Sequence, residues 1–210
     1  MAIIVPTITA ENAHVYRDQI ERVQSFAKRI HIDLMDGVFT PNVSIAPEQI
    51  WWPEDITADI HLMFQKPDSQ LETLISLKPQ LVIIHAESDC DVAEFAQTLN
   101  QAGISCGVAL FPETDTAAIK DYADKIQHVL IFSGNLGHQG GSVANLDLLK
   151  KVEEIKSYNT ELEIAWDGGV NNSNVVTLAQ AGIEVINAGG YIHTALNAET
   201  AFNQLSELLP

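Results

Sequence analysis

The stretch Arg29-Ile30-His31-Ile32-Asp33-Leu34-Met35-Asp36-Gly37 is an apolar run that breaks for a histidine and a carboxylate two residues apart. Its length and its Asp-Gly ending read as a buried strand that opens into a loop. Residues two apart in a strand point to one side, so His31 and Asp33 project together. Removing both from water is costly unless something pairs them. Two further runs carry the same signature: Asp59-Ile60-His61-Leu62-Met63, and Ile164-Ala165-Trp166-Asp167-Gly168-Gly169, which ends on a carboxylate before glycines. Two imidazoles and two carboxylates at three strand ends form a divalent-metal donor set. That mixture suits zinc, iron(II), cobalt or manganese better than calcium or magnesium.

Working outward, short apolar runs alternate with amphipathic stretches along the chain. Strands are expected at Ile3–Pro6, Ile30–Leu34, Ala58–Leu62, Leu81–His85, Ser105–Leu110, His128–Phe132, Glu163–Trp166 and Glu184–Ala188. Helices are expected at Ala13–Ala27, Gln70–Ser76, Asp91–Gln101, Thr116–Ala123, Leu146–Tyr158, Ser173–Ala181 and Ala198–Leu208, with residues 37–57 a Pro-containing loop holding one helical turn. Strands alternating with helices imply a parallel sheet with helical crossovers. Eight units favour a (β/α)8 barrel of one domain, residues 1–210, at the short end for that fold. The rival is a doubly wound open sheet, which usually has fewer strands; its G-x-G-x-x-G fingerprint is missing here.

The barrel gives the polar strand ends a common destination, because side chains at the carboxyl ends of barrel strands line the active site. The glycines after strands six, seven and eight (Gly137-His138-Gln139-Gly140-Gly141, Gly168-Gly169, Gly189-Gly190) permit close backbone approach to a ligand, and barrels commonly hold a phosphate there. Glycine at a strand–helix junction is also an ordinary turn former. His85 ends the fourth strand, where a structural or supporting role competes with a place in the pocket. His138 is either a substrate contact or an exposed loop histidine. Trp51-Trp52 reads as a cap on the barrel or a subunit contact.

Composition excludes several classes. With 11 basic against 28 acidic residues and a formal net charge of −17, the chain lacks the basic patch that nucleic-acid binding needs. An anionic substrate would be repelled at long range and must be held by a metal or by helix N-termini. No apolar run is long enough to span a membrane, and Met-Ala-Ile-Ile-Val-Pro shows neither the basic region nor the cleavage site of a signal peptide. Cys90 and Cys106 form no CxxC pair and read as reduced thiols of a cytoplasmic protein. None of the lysines lies inside a strand, which argues against Schiff-base chemistry. Gly-x-Ser-x-Gly and Walker A sequences are missing as well.

These motifs together resemble the ribulose-phosphate 3-epimerase family. The matching segments are residues 5–8 (Val-Pro-Thr-Ile), 31–42 (His-Ile-Asp-Leu-Met-Asp-Gly-Val-Phe-Thr-Pro-Asn), 59–63, 84–87 (Ile-His-Ala-Glu), 167–170 (Asp-Gly-Gly-Val) and 187–190 (Asn-Ala-Gly-Gly). The resemblance implies a (β/α)8 TIM barrel of the ribulose-phosphate-binding type. It implies an isomerase that epimerises C3 of a ketose phosphate, D-ribulose 5-phosphate to D-xylulose 5-phosphate. It also implies one divalent metal ion per subunit, held by His31, Asp33, His61 and Asp167, with Asp33 and Asp167 as the acid/base pair, and a homo-oligomer. The family's substrate-contacting serine falls on Thr7. The substrate side is then expected to comprise Thr7, Met35, His61, Met63, Gly137, His138, Gln139, Gly140, Gly168, Gly169, Gly189 and Gly190. Departures cluster on that side. The family's Asn-Pro-Gly-Phe-Gly-Gly-Gln run is Asn135-Leu136-Gly137-His138-Gln139-Gly140-Gly141, its strand-six methionine is Phe132, an asparagine is Phe111, and its Gly-Ser turn is Gly189-Gly190. The rival readings are the same chemistry on a hexulose such as allulose 6-phosphate, and a catalytically idle barrel that only senses a sugar phosphate.

Overall fold

A computed structural model describes residues 2–210. Eight parallel strands close into a barrel: β1 (Ile3–Thr9), β2 (Arg29–Met35), β3 (Thr57–Met63), β4 (Leu81–His85), β5 (Ser105–Leu110), β6 (His128–Phe132), β7 (Glu163–Asp167) and β8 (Val185–Ala188), with β8 paired back to β1. The strands read as nearly continuous apolar runs because both faces are covered. Alternate residues such as Ile30, Ile32 and Leu34 pack outward into the large core beneath the helices. Val5, Leu81, Ile83, Ala109, Leu130, Ala165 and Val185 form a separate, small plug inside the barrel. Polar side chains lie at both ends of that plug, and the four proposed metal donors belong to the carboxyl end of the strands.

Strand β1 runs three residues beyond the expected stop at Pro6. Pro6 stands at the last β8 pair, and pairing with β2 begins at Thr7, so the missing N–H falls at the end of one ladder. The extension carries Thr7 and Thr9 to the barrel mouth.

Helices α1 (Ala13–Val23), α2 (Leu71–Leu77), α3 (Val92–Gln101), α4 (Lys150–Tyr158), α5 (Val175–Gln180), α6 (Gly190–His193) and α7 (Ala198–Glu207) cover the barrel. Asn12, Asp91 and Asn197 cap α1, α3 and α7 with side-chain acceptors. Helix α1 stops four residues short of the expectation, and Phe26 and Ala27 fold back onto the Val23 carbonyl to feed β2. Residues Thr116–Tyr122 form a 3-10 helix instead of the expected α-helix. Asp115 caps this short connection, and the Thr116 hydroxyl is tied to Glu154 and Tyr158 of α4, which leaves little length for α-helical winding. Further 3-10 turns lead into α2 and α4, and one, Pro47–Gln49, lies in the long 37–57 loop. Both cysteines are free, Cys106 being buried on β5. Among the described residues no helix is long and apolar enough to cross a membrane.

The amino-terminal end of the barrel is closed by an ion cluster. Arg29 donates through Nε to Asp59 Oδ2 at 2.7 Å and through both terminal nitrogens to Glu163 at 3.0 and 2.8 Å. His128 Nδ1 lies 2.8 Å from the same Glu163. Burial raises the Asp59 pKa, and the Arg29 charge opposes that rise. Replacing Arg29 by alanine strands the buried Asp59 carboxyl, so Arg29→Ala should cost about 3–5 kcal/mol of unfolding free energy in urea titrations. A loss below about 1 kcal/mol would show that the cluster is not a stability element.

Candidate active site

The strand register assembles the site. Asp33 on β2 and His61 on β3 are direct partners, and His31 lies one inward position below Asp33. Asp167 ends β7 and reaches in from the far side of β1 and β8. His61 Nδ1 is 3.0 Å and His31 Nε2 3.3 Å from Asp33 Oδ1, and the two ring nitrogens are 3.3 Å apart. One donor atom from each of His31, Asp33, His61 and Asp167 lies within 4.8 Å of the others, so these four can hold a divalent metal ion. The expected donor set is thus brought together by three strands.

The two carboxyls differ in environment. Burial raises the pKa of Asp33, but hydrogen bonds and charge from His31 and His61 outweigh it and hold this carboxyl well below the usual range. Its other oxygen, Oδ2, accepts from Thr9 Oγ1 at 2.7 Å. Asp167 has only the Gly168 backbone amide and the His31 charge to oppose the rise; burial, then the neighbouring Asp33 charge, push it up to about 7. In the metal-free site Asp33 is therefore the readily ionised member of the pair, and Asp167 the member that holds its proton more strongly.

A cavity of about 300 Å3 opens above these groups, and Thr7, Thr9, Asp33, Met63, Phe132 and Asp167 stand on its wall. The glycine loops line the opposite side, including Gly137, His138, Gln139, Gly140, Gly168, Gly169, Gly189 and Gly190. Of the residues expected to face substrate, His61 and Met35 do not reach the cavity. His61 is fully buried with its Nε2 turned toward His85, and Met35 is buried one inward position beyond Asp33. His138 is exposed and lies 3.3 Å from Asn42, whose amide also donates to the Gly137 carbonyl at 2.6 Å and so ties two mouth loops together. Trp51 lies away from the cavity, edge-on to Tyr16.

The glycines here are required by backbone packing. Gly168 has φ +113° and Gly169 φ +69°; a Cβ on either would lie 2.2 Å from a backbone nitrogen, of Gly134 and Ala144 respectively. A Cβ on Gly190 would lie 2.8 Å from Gly140 Cα, so the loops after β6 and β8 touch backbone to backbone. Gly168→Ala should therefore displace the β6 loop, raising KM for a phosphorylated substrate roughly tenfold or more, with a smaller effect on kcat. An unchanged KM would remove this loop contact from the binding account.

Three contacts escape a reading of the sequence. Thr9 shares the inward face of β1 with Thr7, a spacing that signals it once the strand is known to pass Pro6. Asn187 is a polar interruption of the buried β8 run, and its amide lies 3.2 Å from His31 Nδ1. If His31 Nε2 binds a cation, Nδ1 carries the proton and the amide presents its oxygen, an atom otherwise buried without a partner. Glu87 sits in the loop after β4, at the end of the matching Ile-His-Ala-Glu segment, but its 3.3 Å contact with His85 emerges only in the fold.

A parallel β/α barrel with ionisable side chains gathered at the carboxyl ends of its strands is a barrel enzyme. Comparison gives the family. The model of the ribulose-phosphate 3-epimerase family matches residues 3–193, and the chain belongs to this family of isomerases. It is 32% identical to the ribulose-phosphate 3-epimerase of Helicobacter pylori (strain ATCC 700392 / 26695), over 99% of this chain and 98% of that one. It is 28% identical to that of Bacillus subtilis (strain 168), over 96% and 97%. Among solved structures, the 3-hexulose-6-phosphate synthase of Salmonella typhimurium shares the fold at 13% identity, with a TM-score of 0.76 over 98% of this chain and 97% of that chain.

Proposed function

We propose that the chain interconverts D-ribulose 5-phosphate and D-xylulose 5-phosphate by two-base proton transfer at C3, with one divalent ion held by His31, Asp33, His61 and Asp167. The observation that carries this reading is geometric: two histidines and two carboxylates converge, one donor atom of each within 4.8 Å of the others, and the two carboxylates, Asp33 and Asp167, both stand on the wall of one cavity. The donor chemistry fits zinc, iron(II), cobalt or manganese: two imidazole nitrogens converge on one carboxylate oxygen, and a second carboxyl stands within reach. A divalent ion bound there would supply the positive charge that stabilises an enediolate oxygen.

The protein's own groups account for the proton traffic. Asp33, ionised and oriented by Thr9, removes the C3 proton from one face. Asp167, protonated and approaching from the other side, delivers a proton to the opposite face. In the reverse direction the roles exchange. Thr7, whose buried hydroxyl has no partner among the described residues, supplies a hydrogen bond to the sugar. The glycine loops at 137–141, 168–169 and 189–190 offer backbone amides to the phosphate, which the −17 chain would otherwise repel.

Phe132 stands on the cavity wall and is backed at 6.1 Å by Phe111, which itself stacks with Phe39 at 5.6 Å. That wall supports the shorter pentulose over a hexulose. Metal-reconstituted protein should show kcat/KM for ribulose 5-phosphate at least about 100-fold above that for allulose 6-phosphate. Equal values, or a preference for the hexulose, would reassign the substrate.

A further inference from the structure

Behind the metal donors runs a chain of polar groups, buried at His61 and His85 and half-buried at Glu87, that the proton transfer does not use. His61 Nε2 lies 2.9 Å from His85 Nε2, and His85 Nδ1 lies 3.3 Å from Glu87 Oε2. The other Glu87 oxygen, Oε1, accepts from the Phe111 amide at 3.1 Å and from the Thr114 hydroxyl. Lys151 Nζ donates to the Phe111 and Thr114 carbonyls at 2.8 and 2.7 Å, which locks the turn that holds Glu87. Phe39, Phe111 and Phe132 surround the His85 ring at 4.9, 4.6 and 5.8 Å, an apolar setting that favours neutral imidazole.

A histidine that ligates a metal is neutral, and with one proton on each ring the contacts permit two proton arrangements. In the first, His61 carries its proton on Nδ1 and gives it to Asp33. His61 Nε2 is then bare, His85 must donate from its own Nε2, and the bare His85 Nδ1 faces the Glu87 carboxylate, acceptor against acceptor. In the second, His61 donates from Nε2 to His85, and His85 donates from Nδ1 to Glu87. Every outer group is then satisfied. The unsettled contacts then all lie at the centre of the donor set: the bare His61 Nδ1 is 3.0 Å from Asp33 Oδ1 and 3.3 Å from His31 Nε2, which is itself 3.3 Å from that oxygen. A cation held by these residues would resolve them.

We infer that His85 and Glu87 are positioning residues that form a proton-order relay, setting His61 in the Nε2–H tautomer and so offering its Nδ1 to a divalent ion. The inference rests on the metal reading given above. Carboxylates that orient a metal-bound histidine directly are common; here a second histidine stands between the carboxylate and the ligand. The relay also predicts what reverses it. In Glu87→Gln the oxygen stays with the Phe111 amide, so the new NH2 group faces His85 Nδ1. That makes Nδ1 an acceptor, forces the His85 proton onto Nε2 and returns the His61 proton to Nδ1, where it competes with the metal.

The test uses full-length protein labelled with 15N-histidine and loaded with zinc. The wild type should show His85 as the Nδ1–H tautomer and His61 as Nε2–H with Nδ1 metal-bound in long-range 1H–15N spectra. Glu87→Gln should bind zinc 10–100-fold more weakly in competition with a chromophoric chelator. The wild-type spectrum needs no substitution, so a variant that fails to fold leaves the test intact. Zinc binding with His85 in the Nε2–H form overturns the relay alone, as does a folded Glu87→Gln protein with zinc affinity within twofold of wild type. Failure of the wild type to bind zinc overturns the relay together with the metal reading.

Discussion

Asp33→Asn is expected to lower the epimerisation kcat at least about 10³-fold while leaving the fold intact by circular dichroism. The amide matches the carboxylate in shape, so what is lost is charge and basicity. Asparagine cannot take the C3 proton, and its amide replaces one of the oxygens now shared among His31, His61 and Thr9. Asp167→Asn should cost a similar factor for a different reason, since it removes the group that returns the proton. Two bases on opposite faces make a further prediction. Each variant keeps one carboxylate, so any residual solvent exchange at C3 should be confined to one epimer, and the favoured epimer should differ between the variants. A kcat within tenfold of wild type for either variant would contradict the assignment of the pair.

Removing the metal is expected to have an effect of similar size. Chelated protein should lose at least about 10³-fold of its activity, and zinc, iron(II), cobalt or manganese should restore it where calcium does not. A ligand present at about 1,000 times its Kd adds roughly 4 kcal/mol to stability, so the thermal midpoint should fall on chelation as well. The pH dependence has a definite sign. In the metal-free protein the Asp167 pKa is raised to about 7 by burial and by Asp33. Its folded form therefore binds more protons than the unfolded chain between about pH 4 and 7, and the Asp167 contribution to stability is lost as pH rises through that window. Chelated wild type compared with chelated Asp167→Asn across pH 4–7 isolates the effect, because the variant lacks that slope. Activity that survives exhaustive chelation would remove the metal from the account.

Much of this was legible in the chain because a parallel barrel buries both faces of each strand. His31, Asp33, His61 and Asp167 stand out as polar breaks in apolar runs, and an unpaired polar group in such a run needs a partner. Strand number followed from the same runs. Partnership across the sheet was less legible. That His61 turns its second nitrogen to His85, and that Asn187 on β8 meets His31 on β2, depend on closure of the barrel between distant segments. Helix type was also beyond reach at Thr116–Tyr122, whose composition suits an α-helix but whose capped, tethered connection winds as 3-10. The one-turn helix α6 after Gly189 had no amphipathic pattern to announce it, being only four residues long. The glycine loops were visible as composition, but the backbone contact between Gly140 and Gly190 was not.

The most direct test is solvent isotope exchange. Metal-loaded protein is incubated with D-ribulose 5-phosphate in D2O, and the sugar phosphates are followed by NMR. The two-base account predicts one deuterium at C3 of the xylulose 5-phosphate formed, and deuterium at C3 of recovered ribulose 5-phosphate as the reaction reverses, with none at C1. Conversion without label at C3, or no exchange and no conversion at all, would contradict it.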